Sequence, residues 1–174
     1  MTALFANERY DSGDILGQKT TEFEYPLKIW DTIRKLEPLY FELVADIYER
    51  SLASKSLNGV AQDEQKASYS LWLDGQDYYI DWSWTAEKIA RFIDSVGFPY
   101  SGARARLGHD EVILRHARVR NDVHVEHRSR HLGKVIFIEQ GVPVVVCSQG
   151  LLAITELTSD DGKNLSVNFR SRFT

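Results

Sequence analysis

"SWTAEKIARFIDSVGF", Ser83 to Phe98, is the most regular stretch of this 174-residue chain. Ile89, Phe92, Ile93 and Val96 fall at i, i+3, i+4 and i+7, so a helix would place all four on one face. Ser83 or Thr85 can cap its first turn, Glu87 favours its positive end, and Gly97 can stop it. Everything downstream reads as strand. "ARARL", "EVILRHARV", "KVIFIEQ", "PVVVCSQ" and "LLAITEL" are short β-prone runs separated by glycine-bearing turns. Such spacing predicts a small barrel or sandwich.

Upstream of the helix, Asp74-Gly75 in "LWLDGQDYYIDWSW" is a turn signal with apolar flanks. Before it, the polar stretch Asn58–Tyr69 reads as a linker. Earlier still, "YPLKIWDTIRKLEPLYFELVADIYERSL" keeps a helical apolar spacing through Ile29, Ile33, Leu36, Leu43, Val44 and Ile47. Pro26 suits a first helical position, and Pro38 predicts a kink or break because it lacks an amide donor. The N-terminus reads as a strand "TALFANER", a turn "YDSGD" and extended chain "ILGQKTTEF". Strand, turn, strand and helix are the tail of an α/β layer.

The composition, 43% hydrophobic and 26% charged, is that of a globular chain and excludes disorder and collagen-like classes. No apolar run reaches the roughly 18 residues of a membrane helix. Cys147 has no cysteine to pair with and sits in an apolar run, so it reads as a buried small hydrophobe in a reducing, cytoplasmic setting. The net charge of −4 is unevenly spread: residues 1–99 carry 10 Lys+Arg against 17 Asp+Glu, residues 100–174 carry 11 against 8. The basic excess lies largely in Arg115–Lys134, either a solvated edge or a surface for phosphate.

His124, Glu126, His127 and His131 offer metal-ligand chemistry, with His127 and His131 sharing a face if helical. The Val123/Val125 alternation argues instead for strand or loop, and no metal is expected. Trp72, Trp82 and Trp84 flank a helix start and read as packing residues rather than a stacking platform.

Taken in order, "YDSGDIL", a long helix, "QDEQKASY", "IDWSWTAEKIARFIDSVGFPYSGA", "GVPVVVCSQGLLAITEL" and "FRSRF" resemble the second half of the 10-formyltetrahydrofolate-dependent formyltransferases. The likeness covers nearly the whole chain and is most specific at Asp11-x-Gly13-Asp14-Ile15 and Ile80-Asp81-Trp82-Ser83. It implies an α+β protein: residues 1–66 as the end of a Rossmann-like formyltransferase domain, residues 67–174 as a small OB-like β-barrel. It implies Asp11 as the catalytic carboxylate of an Asn-His-Asp trio, with Gly13 and Asp14 beside 10-formyltetrahydrofolate. For Asp14 an Asx-type turn cap is the competing reading. Ten residues precede Asp11, and none of the five histidines lies before His109, so the trio is incomplete in this chain. The acceptor expected, from the acidic charge and from a "SYSLWLDGQDYYIDW" segment that resembles the sugar enzymes of the family more than the tRNA enzyme, is a nucleotide-linked amino sugar. The alternatives are initiator methionyl-tRNA, met by the basic segment, or a non-catalytic dimerisation or binding module, and a homodimer stays open.

Overall fold

The computed structural model describes every residue except Lys55 and Asn164. The chain divides into two compact units, residues 1–27 with 31–72, and residues 28–30 with 73–174.

The first unit holds two strands, β1 (Thr2–Leu4) and β2 (Ile15–Gln18), and most of a long helix, α1 (Ile29–Ala53). The strands pair antiparallel, with Ala3 opposite Gly17. A two-stranded ribbon with one helix is not by itself a Rossmann layer. Helix α1 begins at Ile29, so Pro26 is not its first residue; residues 25 and 26 form a bend ahead of it. It also runs through Pro38 without a break. Arg34 and Pro38 are both exposed, so the carbonyl that Pro38 leaves without a donor meets water, and the turns on either side hold the helix. Leu43 is the single buried side chain of α1. It lies under β2, where a Cβ on Gly17 would come within 2.9 Å of it. Arg50 ties the helix to the same strand by donating to the Leu16 carbonyl at 2.8 Å.

The stretch 58–69 is more than a linker. Val60 exchanges both backbone hydrogen bonds with Ile15, at 2.8 and 2.9 Å. Glu64–Lys66 forms a 3-10 turn capped by Asp63, whose carboxylate accepts from the Gln65 amide.

The second unit is a five-stranded antiparallel sheet in the order β3-β4-β7-β6-β5, with helix α2 (Ala86–Ser95) packed on it. The strands are β3 (Ala103–Leu107), β4 (Asp110–Arg120), β5 (Val135–Glu139), β6 (Val142–Val146) and β7 (Leu151–Ser159). The Asp74-Gly75 turn forms, closed by its own carboxylates: Asp74 Oδ1 accepts from the Gln76 amide and Asp77 Oδ2 from the Asp74 amide. No strand flanks it directly; the chain first meets the sheet at Tyr79, which bridges Arg104.

Helix α2 is capped by Thr85, whose hydroxyl accepts from the Lys88 amide at 3.2 Å. Its Ile89 and Ile93 pack with Ala103, Ala105, Val112, Leu114, Leu152 and Ile154 in one core. Strand alternation explains the set. Ala103 and Ala105 point inward, whereas Arg104 and Arg106 point outward. Each fully buried aliphatic side chain contributes about 1.5–3 kcal/mol. Just before the helix, Asp81 Oδ1 accepts from the Ser83 amide at 2.8 Å while Ile80 and Trp82 turn into the core. Those Ser83 hydrogen bonds hold the Asp81 carboxyl below its ordinary value.

The last residues complete the sheet. Arg106 and Thr174 exchange backbone hydrogen bonds at 2.7 and 2.9 Å on the β3 edge. On the β5 side, the Phe173 amide donates to Gly133 and the Val135 amide to Ser171, both at 2.8 Å. One short segment therefore joins both edges, and Phe173 is fully buried against Trp82, ring centroids 5.5 Å apart. Gly133, at φ +75°, must be glycine, since a Cβ there would sit 2.1 Å from the Phe173 carbonyl oxygen.

Candidate functional site

The Asp11–Asp14 turn joins β1 to β2 and is built by residues around it. The Phe5 amide donates to the Asp14 carbonyl at 3.0 Å, drawing the two strand ends together. Inside the loop, Asn7 Oδ1 accepts from the Arg9 amide at 3.1 Å and from the Ser12 hydroxyl at 2.9 Å. Ser12 Oγ also lies 3.1 Å from the Arg9 carbonyl. From the far side, Gln62 Nε2 donates to the carbonyls of both Asp11 and Gly13, each at 2.7 Å. Asp11 adopts φ +53°, a left-handed conformation that aspartate tolerates better than most residues.

Backbone and neighbours hold this turn, and the carboxylates do not. Among the described residues neither Asp11 nor Asp14 has a side-chain hydrogen bond or ion pair, and both residues are exposed. The Asx-type cap in this loop forms on Asn7, whose side chain accepts from the Arg9 amide, and not on Asp14. Gly13 is buried, and a Cβ on it would lie 1.7 Å from the Phe5 carbonyl oxygen. Its need to be glycine comes from the Phe5 strand end. The arrangement offers two unengaged anionic groups on a fixed backbone, suited to accepting hydrogen bonds or orienting a cation.

Sequence reasoning missed Gln62 and the organising role of Asn7. Both are polar residues in polar stretches, so periodicity carries no mark of them. The quoted "QDE" motif was the one signal available for Gln62.

In the second unit, the basic segment 115–134 is largely engaged internally. Arg128, with its side chain mostly buried, donates to the carbonyls of Cys147 at 3.0 Å, Gly150 at 3.2 Å and Val123 at 2.7 Å, and pairs with Asp122. Burial opposes the charge of Asp122, but donors from Arg128, Gly150 and Val123 hold its carboxyl below the usual range. Arg120 pairs with Glu139 at 2.6 Å. That leaves Arg115, Arg118, Arg130 and Lys134 as the segment's remaining cations. His127 and His131 flank a 3-10 turn, Arg128–Arg130, rather than sharing a helix face. Among the described residues no group of three or more His, Cys, Asp or Glu could hold a metal ion. Trp82 and Trp84 are packed, the latter edge-on to Phe92 at 5.4 Å, while Trp72 is exposed.

An open cleft of about 480 Å³ lies in the same unit, lined by the Leu73–Gln76 turn, Tyr78, Tyr79, Ser101, Arg104 and Glu111. The Tyr79 hydroxyl donates to Glu111, and Arg104 bridges Glu111 at 3.2 Å and Asp160 at 3.3 Å. That hydroxyl, helped by Arg104, lowers the Glu111 carboxyl despite desolvation, and the same bond raises the phenol. None of Asp11, Gly13 or Asp14 lines this cleft.

Residues 73–172 match the family described as "Formyl transferase, C-terminal domain". The methionyl-tRNA formyltransferase of Syntrophomonas wolfei is 25% identical over all of this chain and 54% of its own length. That of Marinobacter nauticus is 28% identical over 97% of the chain and 52% of its own length. The chain thus spans about half the length of these relatives. Among solved structures, HypX from Aquifex aeolicus in complex with tetrahydrofolic acid superposes with a TM-score of 0.67 at 17% identity, over 95% of this chain and 28% of that one. Among the described residues no helix is long and apolar enough to cross a membrane.

Proposed function

This chain belongs to the formyl transferase family through its C-terminal domain, and from that membership we propose that it is the C-terminal half of an enzyme moving a formyl group from 10-formyltetrahydrofolate to an amine. The observation that carries the reading is the match of residues 73–172 within alignments that run the length of the chain. Residues 1–66 are then the last strands and helix of a Rossmann-like catalytic domain, and residues 67–174 an OB-like barrel. The C-terminal segment that joins β3 to the β5 side supports the barrel.

Asp11 is the catalytic carboxylate in this reading, and the absence of a side-chain partner for it among the described residues supports the role. Its work is to accept a hydrogen bond from an imidazole, fix that ring's tautomer and stabilise it once it has taken the proton of the attacking amine. The imidazole must come from outside this unit, since every histidine of the chain lies at or beyond His109. Asp14, carboxylate outward one residue past the Gly13 clamp, and the Gly13 backbone stand beside the cofactor. When bound, the cofactor supplies the formyl group. HypX, whose fold the chain shares, was solved with tetrahydrofolic acid.

The acceptor proposed is initiator methionyl-tRNA. The relatives named above are methionyl-tRNA formyltransferases, whereas nothing in the comparisons supports the amino sugar expected from charge and linker. The four cations of 115–134 that make no salt bridge among the described residues, Arg115, Arg118, Arg130 and Lys134, would contact phosphate. Measuring tRNA affinity against salt tests this: with about 0.7–0.9 counterions released per contact, the log–log slope should be about −3 to −4. No tRNA binding at low salt would sink the acceptor. Binding of a nucleotide-linked amino sugar instead would restore the sugar reading, and a folded oligomer that binds neither would leave a non-catalytic module.

A further inference from the structure

The cleft beside the Leu73–Gln76 turn has no part in the proposed formyl transfer. At about 480 Å³ it is of the size that small ligands occupy, and all of its lining residues belong to the second unit. Its rim is fixed by its own carboxylates: Asp74 Oδ1 accepts from the Gln76 amide at 2.7 Å and Asp77 Oδ2 from the Asp74 amide at 2.8 Å. On the wall formed by β3 and β4, Glu111 accepts from the Tyr79 hydroxyl and pairs with Arg104, which Asp160 holds as well. Both ion pairs are made by Nη1 of Arg104, whose side chain is mostly buried. Its Nε and Nη2 donors have no partner among the described residues, and neither have the Gln76 side-chain amide and the Ser101 hydroxyl. Two aromatic rings complete the lining. Tyr78 packs on the core, and Tyr79 is tied down by its hydroxyl, with the Arg106 guanidinium 5.8 Å from its ring.

These groups select among ligands. Four carboxylates, Asp74, Asp77, Glu111 and Asp160, stand against two guanidiniums, Arg104 and Arg106, so an anion such as phosphate meets a net negative field. A cation finds every one of those carboxylates already accepting from an amide, a hydroxyl or a guanidinium. What stays unengaged is a planar pair of Arg104 donors, an amide with a donor and an acceptor, and a hydroxyl, beside aromatic rings. That set suits a flat, neutral heterocycle with two adjacent acceptors on one edge. We propose that the cleft binds one unpaired guanine base, with Arg104 Nε and Nη2 donating to O6 and N7 and a tyrosine ring against the base plane. Adenine carries a donor where guanine has O6, so the same donor pair rejects it. Gly75 leaves the entrance open, since nothing lies within 4 Å of a Cβ placed there. The site stands on the second unit alone; that the base is carried on an RNA chain rests on the acceptor proposed above, and a free guanine nucleoside is the other source.

The test titrates the 174-residue chain with guanosine and with adenosine and follows backbone amide shifts by NMR. Guanosine should move the amides of Leu73–Gln76 and Ser101, and adenosine should bind about 5- to 150-fold more weakly, the range that one bidentate contact discriminates. Arg104→Lys keeps the charge that Glu111 and Asp160 pair with but removes the planar donors, so it should bring the two nucleosides to equal affinity. Gly75→Leu fills the entrance from open space; it should weaken guanosine at least about tenfold and leave thermal unfolding unchanged. No shifts with millimolar guanosine, equal affinity for both nucleosides in the unaltered chain, or guanosine binding that survives Gly75→Leu overturns the proposal. The source is read with tRNA. If the base belongs to an RNA chain, Gly75→Leu should weaken tRNA binding with its salt slope unchanged, because no phosphate contact is lost. Guanosine binding lost in Gly75→Leu with tRNA affinity untouched makes the source a free nucleoside. Guanosine binding without tRNA binding would sink the acceptor reading and leave the cleft standing; tRNA binding without guanosine binding would do the reverse.

Discussion

Gly13→Ala is the sharpest probe of the β1–β2 turn. The new methyl would lie 1.7 Å from the Phe5 carbonyl oxygen and 2.7 Å from its carbon, so backbone rather than a flexible side chain must move. Relieving the overlap to ordinary contact requires a displacement of more than an ångström. Two hydrogen bonds lie in the way of that movement, Phe5 N–H to Asp14 O at 3.0 Å and Gln62 Nε2 to Gly13 O at 2.7 Å. At about 0.5–1.5 kcal/mol net each, their loss costs about 1–3 kcal/mol. Local opening should rise accordingly, so the Phe5, Ile15 and Val60 amides should exchange roughly 5- to 150-fold faster. Gly75→Ala is the matched control, because nothing lies within 4 Å of its added methyl; it should change stability by no more than about 0.5 kcal/mol. If the two variants exchange alike at Phe5, Ile15 and Val60, the reasoning about the turn is refuted.

Phe173→Ala should destabilise the second unit by about 3–5 kcal/mol in denaturant unfolding, since it empties a fully buried site beside Trp82; a loss under about 1 kcal/mol would contradict the packing described. Burial pushes the Cys147 thiol up to about 12, so a thiol reagent at pH 8 should label it only after unfolding, and rapid labelling of the native protein would refute that. Glu111, Asp122 and Asp81 all have lowered carboxyl values in the folded state. Their contribution is complete above their ordinary values, 4.5 for Glu111 and 3.8 for the two aspartates, and is lost as pH falls through the lower folded ones. Stability should therefore decline with acidification below about pH 4.5. Glu111→Gln should shrink that decline; an unchanged pH profile would exclude Glu111 as a contributor.

Helix α2 was legible because three local signals agree on it: the Ile89–Val96 face, the Thr85 cap and Gly97. The five strands were legible for the same reason, as β-prone runs between glycine turns. What stayed hidden depends on distant partners. Gln62 clamps carbonyls some fifty residues away, and Arg128 looks like surface charge until Cys147, Gly150 and Asp122 are seen around it. Pro38 misled in the opposite direction. Its local rule is sound, but a 25-residue helix absorbs one lost hydrogen bond when the freed carbonyl is solvated. At the candidate site, family resemblance marked Asp11, while nothing in the local sequence indicated that Asn7 would form the loop's Asx-type cap and hold Ser12.

The segment that joins β3 to the β5 side has a consequence for how the protein is made. Synthesis runs from the N-terminus, so β3 and β5 leave the ribosome well before Phe173 does. Until then the nascent sheet carries two unsatisfied edges and an uncovered Trp82, the surfaces that chaperones and neighbouring nascent chains recognise. Chains arrested short of residue 173 should be held by chaperones or degraded, and those carrying it should fold and be released.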